Sequence, residues 1–324
     1  MTNKKITFGV VGCGEHAIRG HIVPSLKAGF ELVAVYDPNS DNAKKAAELS
    51  STPVTCHSSY ETLLADETVE TVMIVSPDKE HPEQLLAAVK AGKHVMIDKP
   101  LAIDKPGMVI VCQALELAAQ KNLVITSCHP RRFDFPYWYM KTEAIENDFG
   151  SLLEVRLDFS YHAPSELWKQ VGRSLLLDHF PHEIDYVNFL LGHSPFKATR
   201  YADTPDYYYV SGVRTDGIVF TCLGTRRLAE HVYPEEIRLR FERGEVLLNG
   251  KTGKGYRHYH GSSTYAGIES ARPTDYVVRF DLLAKNFADA IQGCAPNYLT
   301  GQDLLVNMGS SVALAIDGWY DSTK

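Results

Sequence analysis

The 324-residue chain has nowhere 18 uncharged apolar residues in succession, so it carries no candidate membrane-spanning helix. It has no surplus of positive charge: 33 basic residues against 40 acidic ones leave a net charge of -7, which gives no electrostatic reason to expect nucleic acid or an anionic membrane as partner. Cysteine is sparse. Cys13, Cys56, Cys112, Cys128, Cys222 and Cys294 are scattered without a C-x-x-C pair, which excludes a disulfide framework and a zinc ribbon and predicts reduced thiols. There is no internal repeat, no low-complexity tract and no H-E-x-x-H pair. The opening residues enter a strand-like segment without a signal-like apolar region, so a cytoplasmic location is expected.

What is present is a length too great for one core, which predicts two domains, taken here as 1–127 and 128–324. In the first, short apolar runs alternate with helix-like segments. Strands are expected at 6–11, 31–36, near 54, at 71–75, 94–97 and 123–127, with helices between them at about 15–29, 41–49, 60–65, 80–91 and 104–121. That alternation predicts right-handed crossovers and a doubly wound parallel sheet.

The first strand runs into Gly12-Cys13-Gly14-Glu15-His16-Ala17, which is G-x-G-x-x-A placed between strand and helix, the context a dinucleotide fingerprint requires. Gly12 permits a tight turn, Gly14 admits a pyrophosphate to the backbone, and Ala17 allows close helix packing. The second strand ends at Asp37, 23 positions after Gly14, where a carboxylate meets the adenosine ribose and repels a 2′-phosphate. NAD is therefore expected, with NADP the alternative. Ser76 and Pro77 end another strand and are expected to pass the cofactor, with His81 beside them. The run at 94–97 stops at Asp98-Lys99-Pro100, so Lys99 is expected at the carboxyl end of a central strand, the edge where open α/β sheets bind ligands.

Beyond residue 127 the period changes. Segment 151–162 alternates apolar and polar residues, and further strands are expected at 207–214, 218–223, 236–241, 245–248 and 255–260, with helices at 133–149, 281–291 and 302–320. This predicts an α+β domain on a large, predominantly antiparallel sheet. Tyr207, Tyr208 and Tyr209 are read as exposed aromatics that a second copy of the chain would cover. Asp178 and His182 stand four apart, on one face of a helix, a spacing that taken alone reads as a surface or structural pair and that the cofactor motif and Lys99-Pro100 turn toward catalysis. His182, with an ordinary pKa near 6.5, is the expected proton-transfer group, Lys99 the donor to a substrate oxygen, and Asp178 the group that orients the site. Arg131, Arg132, His162 and Trp168 are candidate substrate contacts, the arginines equally candidates for an interdomain salt bridge, and His162 and Trp168 for packing against the sheet. His179, His182 and Asp185 allow a metal reading, but no metal is expected.

Together with G-x-G-x-x-A, the string HPEQLLAAVKAGKHVMIDKP at 81–100 resembles the Gfo/Idh/MocA family of oxidoreductases, Asp98 standing where that family carries the glutamate of E-K-P. Arg131 to Phe133 with Phe149-Gly150 is similar to its linker region, and Asp178 and His182 match its D-x-G-x-H segment, with His179-Phe180-Pro181 in place of x-Gly-x. The resemblance implies an NAD-dependent dehydrogenase acting on a ring hydroxyl of a sugar, sugar derivative or cyclitol. Asp98, Lys99, Asp178 and His182 would lie in its site, and the open sheet face would join copies into a homodimer or homotetramer. The alternatives are a non-catalytic sensor that keeps the scaffold and an oxidoreductase that never releases its cofactor.

Overall fold

The computed structural model describes residues 5–162, 174–228 and 235–323. It divides into two compact units, one made of Met1–Pro130 with Tyr276–Met308, the other of Arg131–Asp275 with Gly309–Lys324. The expected single cut after residue 127 misses the return of 276–308 to the first unit. The cause is aromatic packing. Phe287 stacks on Phe30 at 5.9 Å, Phe30 meets Phe8 edge-on, and Ala284 and Ala288 join the same apolar cluster.

The first unit holds a six-stranded parallel sheet of β1 (Thr7–Val11), β2 (Glu31–Tyr36), β3 (Thr55–Cys56), β4 (Thr71–Ile74), β5 (His94–Ile97) and β6 (Ile125–Ser127), in the order β3-β2-β1-β4-β5-β6. Their apolar runs are buried because crossover helices cover both faces of such a sheet. Local chemistry starts those helices: Asn39 accepts from the Asp41 amide, Ser59 and Thr62 form a capping box, and Asp104 accepts from the Gly107 amide. The helix expected at 15–29 is not regular. It runs α over Glu15–Ala17, π over Ile18–Ile22 and α again over Val23–Lys27.

The second unit is built on β7 (Leu152–Asp158), β8 (Phe196–Asp203), β9 (Tyr207–Arg214), β10 (Val219–Thr225), β11 (Glu236–Phe241), β12 (Gly244–Asn249), β13 (Lys254–Tyr259), β14 (Ala266–Glu269) and β15 (Trp319–Asp321), ordered β14-β13-β12-β11-β7-β10-β9-β8-β15. All pairs are antiparallel except β7 with β10. One face carries Val155, Leu157, Phe220, Cys222, Leu239 and Val246 into the core, and the helix Leu175–Leu191 packs over β9 and β10. β8, β14 and β15 were not expected. Gly318, at φ +79°, ends the helix Gly301–Asp317 and turns the chain into β15, where a single helix to 320 was expected. Tyr208 corrects the reading of three exposed tyrosines. Strand alternation turns its ring inward, wholly buried, between Tyr207 and Tyr209 on the other face.

Candidate functional site

In the first unit the glycine loop follows β1. Gly12 has φ +80°, and a Cβ there would lie 2.5 Å from the Val75 carbonyl oxygen, so only glycine fits. A Cβ on Gly14 would meet nothing within 4 Å, which leaves open space before the start of the helix at Glu15. No side chain caps that start, and the first amides of a helix have no intrahelical partners. Asp37 Oδ2 accepts from the Cys13 amide at 2.7 Å and Oδ1 from the Asn39 amide at 2.8 Å. The carboxylate thus ties the loop to the end of β2, and each oxygen keeps a second lone pair. Open backbone at Gly14, uncapped amides and an acid at the end of β2 are the donor and acceptor set that a dinucleotide's pyrophosphate and ribose require, so these residues fit that cofactor.

The ends of β4 and β5 are joined by His81, the first residue of the helix His81–Lys90. Its buried ring has Nδ1 2.7 Å from the Pro100 carbonyl oxygen and Nε2 2.9 Å from that of Ser76. The Ser76 hydroxyl donates to Gln84, and Pro77 is exposed. This lashing fixes the turn that carries Lys99, whose side chain is half-buried. Asp98 before it faces His16 Nε2 at 3.3 Å and His21 Nε2 at 4.0 Å. Burial alone would raise the Asp98 carboxyl, but hydrogen bonding from His16 and the charges of His16, His21 and Lys99 outweigh it and hold the group well below the usual carboxylate range. Glu15 points outward and pairs loosely with Arg19.

In the second unit, Asp178 and His182 lie one turn apart on Leu175–Leu191, which passes through Pro181 without ending. Asp178 is buried and its charge is met by Arg226 at 3.2 Å. Arg226 also donates to the Tyr161 hydroxyl at 3.0 Å, and Tyr161 stacks flat on His179 at 4.7 Å. Burial, followed by the Asp178 charge, pushes the Tyr161 phenol up. His182 is half-buried, its ring edge-on to that of His179. Arg132 grips Asp185 with two bonds of 2.9 and 2.7 Å, both residues buried, and Arg131 lies over the Phe159 ring and donates to the Tyr137 hydroxyl. The interdomain salt bridge considered for these arginines is not what Arg132 makes, since its partner Asp185 belongs to the same unit. His162 Nδ1 sits 2.8 Å from the Leu228 carbonyl oxygen. Trp168 lies outside the described residues. Arg226, His21, Cys128 and the buried Glu183, whose carboxyl burial drives well above its ordinary range, were missed. For Arg226 no sequence signal exists, since its partner is 48 positions away.

A family model described as "Oxidoreductase family, NAD-binding Rossmann fold" (GFO_IDH_MocA) matches residues 6–128. The inositol 2-dehydrogenase/D-chiro-inositol 3-dehydrogenase of Shouchella clausii is 32% identical over 191 residues, 57% of this chain and 53% of that protein. The 1,5-anhydro-D-fructose reductase of Ensifer adhaerens is 23% identical over 328 residues, covering 95% of this chain and 94% of its own. The chain spans about half the length of the inositol dehydrogenases it matches. Among solved structures, UDP-N-acetylglucosamine 3-dehydrogenase from Acidithiobacillus ferrooxidans superposes with a TM-score of 0.78 at 20% identity, covering 97% of each chain, a likeness of fold. By its glycine loop, its strand order and these matches, the amino-terminal part of the chain, residues 6–128, carries the NAD-binding Rossmann fold of the Gfo/Idh/MocA oxidoreductases.

Proposed function

We propose that this protein transfers hydride between NAD and a ring hydroxyl or ketone of a sugar, sugar derivative or cyclitol, with Lys99 and His182 handling the proton. The observation that carries the reading is the joining, within one unit, of the Gly12-Gly14-Asp37 loop to a lysine held at the end of β5 by the His81 link to Pro100. The related inositol dehydrogenases and anhydrofructose reductase support the substrate class by their names.

Gly12, Cys13, Gly14 and the helix start would hold the pyrophosphate, Asp37 the adenosine ribose, and Ser76, Pro77, His81 and Asp98 the approach to Lys99. When bound, the nicotinamide supplies the hydride acceptor or donor. Lys99 Nζ donates a hydrogen bond to the substrate oxygen and stabilises developing alkoxide charge. The His182 imidazole takes the hydroxyl proton on oxidation and returns it on reduction. Arg226 holds the Asp178 carboxylate in place beside it on the helix. Arg132 with Asp185 and Arg131 with Phe159 position the second unit's helix in this reading, and His162 lines the substrate side. The open sheet face, with Val213 opposite Val219 and exposed Tyr201, is assigned to contact between copies in a homodimer or homotetramer.

The test is NADH formation at the reduced-nicotinamide absorbance band with a panel of sugars and inositols, for wild type, Lys99→Ala and His182→Ala. Turnover by wild type with loss of at least about 100-fold in each variant is expected, the scale of a general acid–base group. Equal turnover in all three removes both role assignments. NAD binding with no turnover across the panel transfers the chain to the sensor reading.

A further inference from the structure

The hydride chemistry makes no use of His21 or Cys128, yet both converge with His16 and Asp98 on one point of the first unit. One ligand-type atom from each of the four lies within 4.8 Å of the others. Local structure explains the meeting. His16 and His21 are five residues apart, and on a regular α-helix they would diverge by about 140°. The π-helical stretch Ile18–Ile22, which closes turns over five residues, brings them to one side with their rings 5.7 Å apart. Asp98 follows β5 and Cys128 follows the adjacent β6, with the Cys128 amide bonded to the Ile97 carbonyl at 3.0 Å. One helix and two neighbouring strand ends therefore deliver four donors.

Two of the four residues carry buried polar atoms without a hydrogen-bond partner among the described residues. His21 is wholly buried, and neither of its ring nitrogens has a hydrogen-bond partner among the described residues; nor has Asp98 Oδ1, 4.0 Å from His21 Nε2. A buried polar group left so costs about 1–3 kcal/mol and calls for an explanation. The donor set supplies one. Two imidazoles, a carboxylate and a thiol suit zinc and its borderline neighbours, whereas calcium and magnesium demand oxygen ligands in larger number.

We propose that His16, His21, Asp98 and Cys128 form a four-ligand site for a divalent transition ion of the zinc class. Tetrahedral ligation at zinc distances has edges of about 3.3–3.6 Å; His16 Nε2 stands 3.3 Å from Asp98 Oδ2 and His21 Nε2 4.0 Å from Asp98 Oδ1, so a small rotation of the carboxylate offers one oxygen to both rings. The widest pair closes by about 1 Å, and the solvent-exposed His16 ring is both the mobile ligand and the entry path. Burial and the Asp98 charge hold the Cys128 thiol protonated in the metal-free protein, so loading expels a proton. His16 and Asp98, given to the cofactor on sequence grounds, serve the ion here. The two readings share Asp98, and a metal titration made without cofactor tells the failure of one from the failure of the other.

The experiment titrates reduced, chelator-stripped full-length protein with Co2+ and then Zn2+, following absorbance. Wild type should take up one equivalent of Co2+, with a thiolate-to-cobalt charge-transfer band in the near ultraviolet and the visible bands of a tetrahedral complex, and Zn2+ should bleach both. Cys128→Ser should lose the charge-transfer band, and His21→Gln should weaken binding by more than the roughly 10–100-fold that loss of an outer-shell partner costs, both variants keeping the wild-type far-ultraviolet circular dichroism. Absence of the charge-transfer band in wild type overturns the site without recourse to any variant. Retention of the band in Cys128→Ser, or unchanged affinity in His21→Gln, places the ion on other residues and overturns it as well.

Discussion

Replacing Arg226 by methionine should destabilise the second unit by about 3–5 kcal/mol, because it strands a buried carboxylate. The guanidinium stands 3.2 Å from Asp178 Oδ2, and both side chains are nearly excluded from solvent. At an effective dielectric of about 20 the attraction at that separation is about 5 kcal/mol, and the desolvation of the two ions opposes it by a comparable amount. The intact pair is therefore worth little net, while half of it costs much. Arg226 also donates to the Tyr161 hydroxyl and the Pro205 carbonyl, both at 3.0 Å. Those bonds are lost in either background and cancel in a double-mutant cycle. The first unit's sequence holds no tryptophan, while Trp138 and Trp319 belong to the second, so urea unfolding followed by tryptophan fluorescence at pH 7 reads the second unit selectively. The double variant Arg226→Met with Asp178→Leu should recover most of the loss seen in Arg226→Met alone. A single-variant loss below about 1 kcal/mol, or a double variant whose loss is the plain sum of the two singles, would refute the account of Asp178 as a paired charge.

Two further expectations follow from the first unit. Burial lowers the His21 ring to about 4, against an ordinary value near 6.5, with the Asp98 charge acting in the opposite sense. The unfolded chain then binds the extra proton between those values, so this contribution to stability is whole above about pH 6.5 and is lost as pH falls toward 4, on the order of 3 kcal/mol. Thermal midpoints in chelator should show a flatter decline over that window for His21→Gln than for wild type; identical slopes would remove His21 from the titration. Asp37→Ala should narrow the preference for NAD over NADP by at least about tenfold, the equivalent of 1.4 kcal/mol. It should also weaken NADH binding, because the Cys13 and Asn39 amides lose their acceptor. Fluorescence titration with both cofactors measures this, and an unchanged ratio would leave Asp37 as a loop tie alone.

What could be read from the letters divides along the range over which residues act. The first sheet was legible because buried parallel strands appear as uninterrupted apolar runs, and because Gly12 and Pro100 punctuate them where the chain turns. The place of Asp98 and Lys99 just past the end of β5 was legible because the apolar run stops there. His21 was not, since nothing in a spacing of five announces the π turn that aims it at Asp98. Tyr207, Tyr208 and Tyr209 carry one letter three times, and only strand register decides that the middle ring goes inside. Arg132 and Asp185 were each noticed, but their pairing spans 53 positions and belongs to tertiary structure. β15, three residues long, is shorter than any periodicity can reveal.

The return of 276–308 to the first unit also sets an order of events during synthesis. A ribosome that has made the nucleotide-type sheet, complete at Ser127, must still add 287 − 127 = 160 residues before Phe287 exists to cover Phe30. Until then a nascent sheet displays an unfinished apolar flank, a natural landing place for a chaperone. A fragment truncated near residue 130 should share that exposed flank permanently, and fusion of 276–308 to it by a short linker is the way to make this half of the molecule by itself.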